Sequence, residues 1–336
     1  MSESLLIAEL LNKISELIDN NKASEASGML SRFVNEHPQM ADERFSAEVN
    51  MIMKQMEYKA AVEDWSYFYS IKLVYEYCKK QYSDPMEDLT DEGSLLPDRD
   101  TIWWCWLQGL DNAPKVIQKC YASLSKIGRR VVVLTEDNIN EYVKMPEHIM
   151  EKLDKGIITR THFSDLLRIE LLTTRGGTWI DSTVFCSDEK GINNILSNTD
   201  VFAYSFAMRD SVSRYMMFDS WLMYAAKKSK MLEALKNMLY RYWENENKLL
   251  HYFLFHIFFT IAAEMYPEEC AGIPVFSIEP CHILQHEMFN EYDDTRWEQI
   301  KSMTGIHKLT YKVEKYGDLI NKKNTYWDRI ITDKLP

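Results

Sequence analysis

THFSDLLRIELLTTRGGTWIDSTVF, Thr161–Phe185, decides how this chain is read. Phe163–Thr174 reads as a helix that Gly176 and Gly177 end. Thr178–Phe185 reads as a strand. Period-two geometry then puts Trp179, Asp181, Thr183 and Phe185 on one face. Asp181 is an acid at or near the end of a buried strand. An unpaired carboxylate there is costly, so it requires a partner. The candidates are a metal–diphosphate, a sugar or ribose hydroxyl, or a nearby arginine; the plain alternative is an acid capping a neighbouring loop. Asp165 and Arg168, three apart, share a helix face. They are either a surface ion pair of little worth or a polar pair aimed at a ligand. In the second case helix, turn and strand converge three polar side chains on one pocket.

Working outward, Thr101–Leu107 (TIWWCWL), Arg130–Leu134 (RVVVL) and Val201–Phe206 read as further strands. Helices are expected over Ala113–Ile127, with Pro114 near the start, around Ile139–Lys155, and through most of Lys228–Tyr266. Strands separated by helices imply α/β layering on a mainly parallel sheet. Ligands on such sheets gather at the carboxyl ends of the strands. Upstream, three-to-four spacing of Ile7, Leu10, Leu11, Ile14, Leu17 and Ile18 predicts a helix. Others follow near Ala23–Glu36, Asp42–Met56 and Val62–Tyr82. The expected division is a helical region over 1–82, an acidic linker over 83–100 and a catalytic domain over 101–336.

The chain has 336 residues and a formal net charge of −12. Half of that charge sits in Ser83–Asp100, with seven acids and one arginine. No basic block is present, which argues against nucleic acid as a partner. The opening MSESLLIAELLNKISELIDN lacks a basic n-region and has acids within its apolar run, unlike a signal peptide. Six cysteines lie scattered without C-x-x-C spacing, which suits reduced thiols. The expected location is cytoplasmic. Cys270, Cys281, His282 and His286 lack the spacing of a zinc site, and no GxSxG, P-loop or GxGxxG occurs.

In Ile102–Gly109 (IWWCWLQG), Trp104 and Trp106 share one face and Trp103 takes the other. A tryptophan near the end of this strand either stacks on a nucleotide base or fills core, and Gln108 and Gly109 allow a close backbone turn. In Thr304–Lys312 (TGIHKLTYK), His307 and Lys308 offer a metal ligand and a diphosphate counter-charge, unless the histidine is structural.

The order IWWCWLQG, SDLLR, GGTWIDSTVF, IHKLTYK resembles the capsular polysaccharide synthesis proteins, which are similar to DXD-type sugar transferases of glycosyltransferase family 32. The resemblance spans roughly residues 101–312; the first hundred carry no such signal. It implies a GT-A fold that binds a nucleotide-diphosphate sugar, expected to be a UDP-sugar. It implies retaining transfer of a hexose to the hydroxyl of an oligosaccharide or lipid-linked glycan, the latter requiring peripheral contact at the inner membrane face. Trp106 matches the base-stacking tryptophan, with Gln108 beside it. Asp165 and Arg168 match the pair that contacts donor sugar and diphosphate. Asp181 matches the first DXD acid, and His307 the C-terminal histidine of the metal–diphosphate site, with Lys308 adding positive charge. A Mn²⁺ or Mg²⁺ ion would then sit on Asp181, Thr183 and His307. Thr183 departs from the second acid; Asp188 or a water is the substitute. For the step itself, front-face attack is favoured over a carboxylate such as Asp210 or Asp219. Tyr252 and His256 are candidates for the acceptor side. The rival reading is an inactive nucleotide-sugar-binding or scaffold protein.

Overall fold

Thr101–Cys105 is almost wholly apolar and forms β1, an interior strand of the sheet. The computed structural model describes residues 67–84, 91–124, 127–196, 199–206 and 214–335, plus Leu10, Lys13, Ile14, Met29 and Phe33. The expected helices over 7–18, 23–36 and 42–56 lie outside the described residues except at those five positions. Residues 67–82 are helical. The chain divides into two units, Met1–Lys72 and Leu73–Pro336, and the site lies in the second.

After β1 come α1 (Lys115–Leu124), β2 (Arg130–Leu134), α2 (Ile139–Tyr142), α3 (Glu147–Asp154) and α4 (Arg160–Thr174). The next elements are β3 (Gly177–Ile180), β4 (Val184–Cys186), α5 (Glu189–Leu196), β5 (Val201–Ser205) and β6 (Phe218–Ala225). Then follow α6 (Lys230–Asn245), α7 (Leu254–Met265), α8 (Pro267–Ala271), α9 (Glu279–Glu287), α10 (Asp294–Met303), β7 (Ile306–Lys308) and α11 (Tyr326–Ile331).

The sheet order is β2-β1-β3-β6-β5. β2, β1 and β3 are parallel, while β6 runs antiparallel to both β3 and β5. The fold is therefore α/β with a mixed sheet, rather than the more uniformly parallel one expected. The difference is β6, which the sequence reading passed over. FDSWLMYA is apolar at most positions, and six consecutive residues from Ser220 are buried, so no period-two signal marks it.

The expected single strand over 178–185 is two. β3 stops at Ile180, and Val184 N–H donates to Asp181 O (3.0 Å) to close a turn. β4 then leaves the sheet and pairs antiparallel with β7. The shared face inferred for Trp179, Asp181, Thr183 and Phe185 therefore does not exist beyond Ile180. A turn at 181–183 lifts the polar triplet out of the core that Ile180 and Val184 enter.

The glycine pair permits the α4–β3 connection. Gly176 and Gly177 have φ of +74° and +94°, where side chains are strained. A Cβ on Gly177 would lie 2.6 Å from Thr101 O and 2.8 Å from Asp98 O. Within the stretch expected as linker, 91–100 lies along the sheet: Leu96 N–H donates to Ala226 O (2.9 Å) and Gly93 N–H to Lys228 O (3.0 Å).

Candidate active site

Parallel pairing brings the carboxyl ends of β1 and β3 together. Trp104 pairs with Ile180, so the residues that follow, Cys105–Gln108 and Asp181–Thr183, emerge side by side. They line one cavity of about 640 Å³. The amino end of antiparallel β6 lies at the same edge, where Asp181 N–H donates to Trp221 O (2.8 Å). The antiparallel β4–β7 pair completes the wall by pairing Val184 with Lys308, and Leu309 N–H donates to Thr183 O (2.9 Å).

Asp181 is the hub. Its Oδ2 accepts from Lys308 Nζ (2.6 Å), and its Oδ1 accepts from Trp179 Nε1 (2.9 Å) and Arg168 Nη2 (3.2 Å). Burial pushes this carboxyl up, but Lys308 and Arg168 outweigh it and hold it at about 2. Arg168 is 2% exposed and lies between the rings of Trp179 and Phe255, at 5.0 and 5.2 Å. Its Nη1 donates to Asp165, whose other oxygen faces His162 Nδ1 at 3.2 Å. Burial again raises Asp165, and Arg168 and His162 bring it below the usual carboxylate range. α4 presents His162, Asp165 and Arg168 at three-residue spacing, and Thr159 Oγ1 accepts from His162 N–H to cap its start.

Across the cavity, Trp106 meets Tyr311 edge-on with centroids 5.5 Å apart. Three cations, Arg160, Lys308 and Lys312, and one carboxylate, Asp181, line it. This cationic lining in a chain of charge −12 suits a polyanion, and the aromatic rim suits a ring that stacks.

Of the residues singled out by sequence, the structure thus assembles Trp106, Gln108, Asp165, Arg168, Asp181, Thr183 and Lys308. His307 stands apart. Adjacent strand residues point to opposite faces, so the strand that turns Lys308 into the cavity turns His307 away. The His307 ring is buried against Trp297 and Phe185, with Nε2 2.8 Å from Ser187 Oγ. Burial lowers its pKa to about 3. It is a neutral core histidine, which corrects its placement on a metal. Asp188, the expected substitute for Thr183, does not line the cavity either, and Asp210 lies outside the described residues.

The residues present do not fit a metal held by the protein. Among the described residues no three His, Cys, Asp or Glu side chains gather for one. The lone cavity carboxylate already has both oxygens on cations, and Thr183 adds only a neutral hydroxyl.

Sequence reading missed Arg160, Lys312 and Tyr311. A lone cation at a helix start and a cation and ring in a loop have no periodic signal, and only folding gathers them.

Residues 54–330 match the family model described as "Capsular polysaccharide synthesis protein". The chain belongs to the capsular polysaccharide synthesis protein family. The resemblance read from SDLLR, GGTWIDSTVF and IHK is therefore borne out. Its extent is corrected, because the match begins within the N-terminal hundred residues. A comparison with curated proteins finds no match. Among solved structures the chain is similar to a "glycosyltransferase involved in the glycosylation of the major capsid of PBCV-1". That likeness has 13% identity, 65% coverage of this chain, 98% of that one and a TM-score of 0.35, too low to inform chemistry. Among the described residues no helix is long and apolar enough to cross a membrane.

Proposed function

We propose that this member of the family is a GT-A-type glycosyltransferase of the hexosyl-transferring class. It moves a sugar from a nucleoside diphosphate to a glycan or lipid-linked hydroxyl. The observation that carries the reading is the cationic, aromatic-rimmed cavity at the strand ends, with Asp181 fixed between Lys308 and Arg168.

In this reading the base, uracil by preference, lies against Trp106, and Gln108 follows on the turn. The diphosphate enters beside Lys308 and Arg168, which take up the charge that grows as it leaves. Asp181 holds both cations in place while the site is empty. Asp165 fixes Arg168 and, with it, faces the sugar. In the transfer, the bond from the anomeric carbon to the diphosphate oxygen breaks and its electron pair leaves with the diphosphate. The acceptor oxygen forms the new bond to that carbon on the same face, with retention. Its proton passes to the departing diphosphate oxygen. The chain works in the cytoplasm, and a lipid-linked acceptor brings it to the inner membrane face. The proposed catalytic domain is 101–336, preceded by the acidic stretch 83–100 and a helical region over 1–82. The divalent ion implied by the resemblance is, in this proposal, no resident cofactor. Mg²⁺ is commonly held by one or two carboxylates together with substrate phosphates, and would travel with the diphosphate.

The test is to incubate the chain with a panel of UDP-, GDP- and CDP-sugars plus candidate glycan acceptors, and to measure released nucleoside diphosphate. Turnover that Asp181→Ala abolishes is expected. Donor binding without turnover, and indifferent to Asp181→Ala, would instead mark a nucleotide-sugar-binding or scaffold protein.

A further inference from the structure

One wall of the main cavity has no role in the donor site. It is supplied by α9, which lies against β7. Cys281 and Leu284 of α9 are buried. One step round the helix, His282 and Gln285 are half-buried and line the cavity. Three apart, they share a helix face and bond to each other, His282 Nδ1 to Gln285 Oε1 at 3.1 Å. An amide oxygen only accepts, so Nδ1 holds a ring proton in this contact. Nε2 then has a lone pair to offer in the neutral tautomer, and the Gln285 amide nitrogen has two N–H donors. Among the described residues neither Nε2 nor that amide nitrogen has a protein partner. Both keep accessible surface. α9 thus presents one acceptor and one donor side by side, each fixed by the other, with neither a carboxylate nor a permanent cation.

The pair stands on the Lys308 side of the site. His282 meets the Trp221 indole edge-on, with centroids 6.4 Å apart, and Lys308 Nζ lies over the same ring at 5.7 Å. Lys308 in turn holds Asp181 at 2.6 Å. Same-face attack decides what belongs on such a wall. The acceptor oxygen reaches the anomeric carbon from the side on which the diphosphate departs. The acceptor therefore lies beside the diphosphate and its cations. An anionic acceptor there is repelled by the diphosphate, whereas an uncharged polyol is not. Two neighbouring hydroxyls also match a fixed acceptor next to a fixed donor, because a hydroxyl both gives and takes a hydrogen bond.

We propose that His282 and Gln285 form the acceptor wall, and that the acceptor ends in an uncharged sugar with two neighbouring hydroxyls. One hydroxyl donates to His282 Nε2; the other accepts from the Gln285 amide. His282 orients the acceptor and takes no proton: the attacking hydroxyl still passes its proton to the departing diphosphate oxygen. The proposal rests on the transferase reading and adds the substrate class of its second side. Diphosphate affinity and acceptor affinity are therefore separable by substitution.

Acceptor kinetics and diphosphate titration of the full chain separate them. UDP and GDP are the titration probes. The acceptor probes are the p-nitrophenyl glycosides of glucose, galactose, mannose and glucuronic acid, each given with UDP- and GDP-sugars. In the wild type at least one neutral glycoside should raise release of nucleoside diphosphate above that from donor alone, and the glucuronide should not. His282→Phe keeps a ring but removes the lone pair. It should raise the KM for that glycoside about tenfold, the worth of one hydrogen bond, and leave the diphosphate Kd within about twofold. His282→Gln, whose amide oxygen reaches the Nε2 position, should recover part of the loss, which a merely structural histidine would not. Gln285→Leu should raise the same KM, and decides the matter if His282→Phe does not fold. A KM that neither variant moves, or a diphosphate Kd that weakens as much as KM, overturns the proposal while the nucleotide site stands. So does a wild type that binds diphosphate and responds to no neutral glycoside. A wild type that binds no nucleotide probe overturns the nucleotide-sugar reading, and this proposal with it.

Discussion

Replacing Asp181 by Asn removes the one negative charge between Lys308 and Arg168 and leaves their donors facing an amide. In the folded chain this carboxyl is held at about 2, against 3.8 for a free one. That difference makes the folded anion about 2.5 kcal/mol more favourable. The side chain is 28% exposed, so solvent trims the figure. Asp181→Asn should therefore destabilise the chain by about 2 kcal/mol at pH 7, or lower Tm by roughly 4–8 °C in a body of this size. The pH dependence carries the diagnosis. The folded pKa is depressed, so the stabilisation is complete above the unfolded value near 4 and is lost as pH falls through about 2. Urea unfolding of wild type and variant across pH 7 to 2.5 measures the gap directly. It should be flat down to about pH 4 and then narrow. The double variant with Lys308→Met should cost less than the sum of the single changes, because the two residues share one contact. No gap at neutral pH, or a gap that stays constant to pH 2.5, would refute the ion-pair account.

Three further outcomes are expected. Gly177→Ala sets a Cβ 2.6 Å from a backbone oxygen at φ +94°, and urea unfolding should show a loss on the order of 3 kcal/mol. Lys308→Met should weaken UDP or GDP binding about tenfold in titrations that contain EDTA; wild-type binding that vanishes in EDTA would return the diphosphate to a metal. The His307 ring, neutral in the core, should show no titration by NMR between pH 5 and 8. Because burial lowers its folded pKa below 6.5, its contribution to stability shrinks as pH falls below that value, as the unfolded chain takes up the proton first.

The site was legible where short-range rules apply. Asp165 and Arg168 share a helix face by spacing alone, and the glycine pair announced a turn that only glycine tolerates. Asp181 was read as an acid at or near a strand end, and β3 does stop at Ile180. The errors came where a contact distant in sequence intervenes. TWIDSTVF reads as a single strand, yet pairing of Val184–Cys186 with Ile306–Lys308 makes a separate two-stranded sheet and puts a turn at Asp181–Thr183. The same pairing took His307 out of the site and kept Lys308 in it. Both carry plausible donor-site chemistry, and only the strand's facing decides which one reaches the cavity.

The sequence by itself determined the family, the α/β layering and the residues that carry charge at the strand ends, because apolar runs, helix spacing and glycine punctuation are local. The tertiary structure alone decided that Asp181 lies between two cations, Lys308 and Arg168. It also decided that Ser220 and His256 meet Asp165 and Arg168 across a small cavity. Those groups come from β6, α7 and α4, and their meeting depends on an antiparallel strand whose uniformly buried residues carry no periodic mark of where its ends will lie.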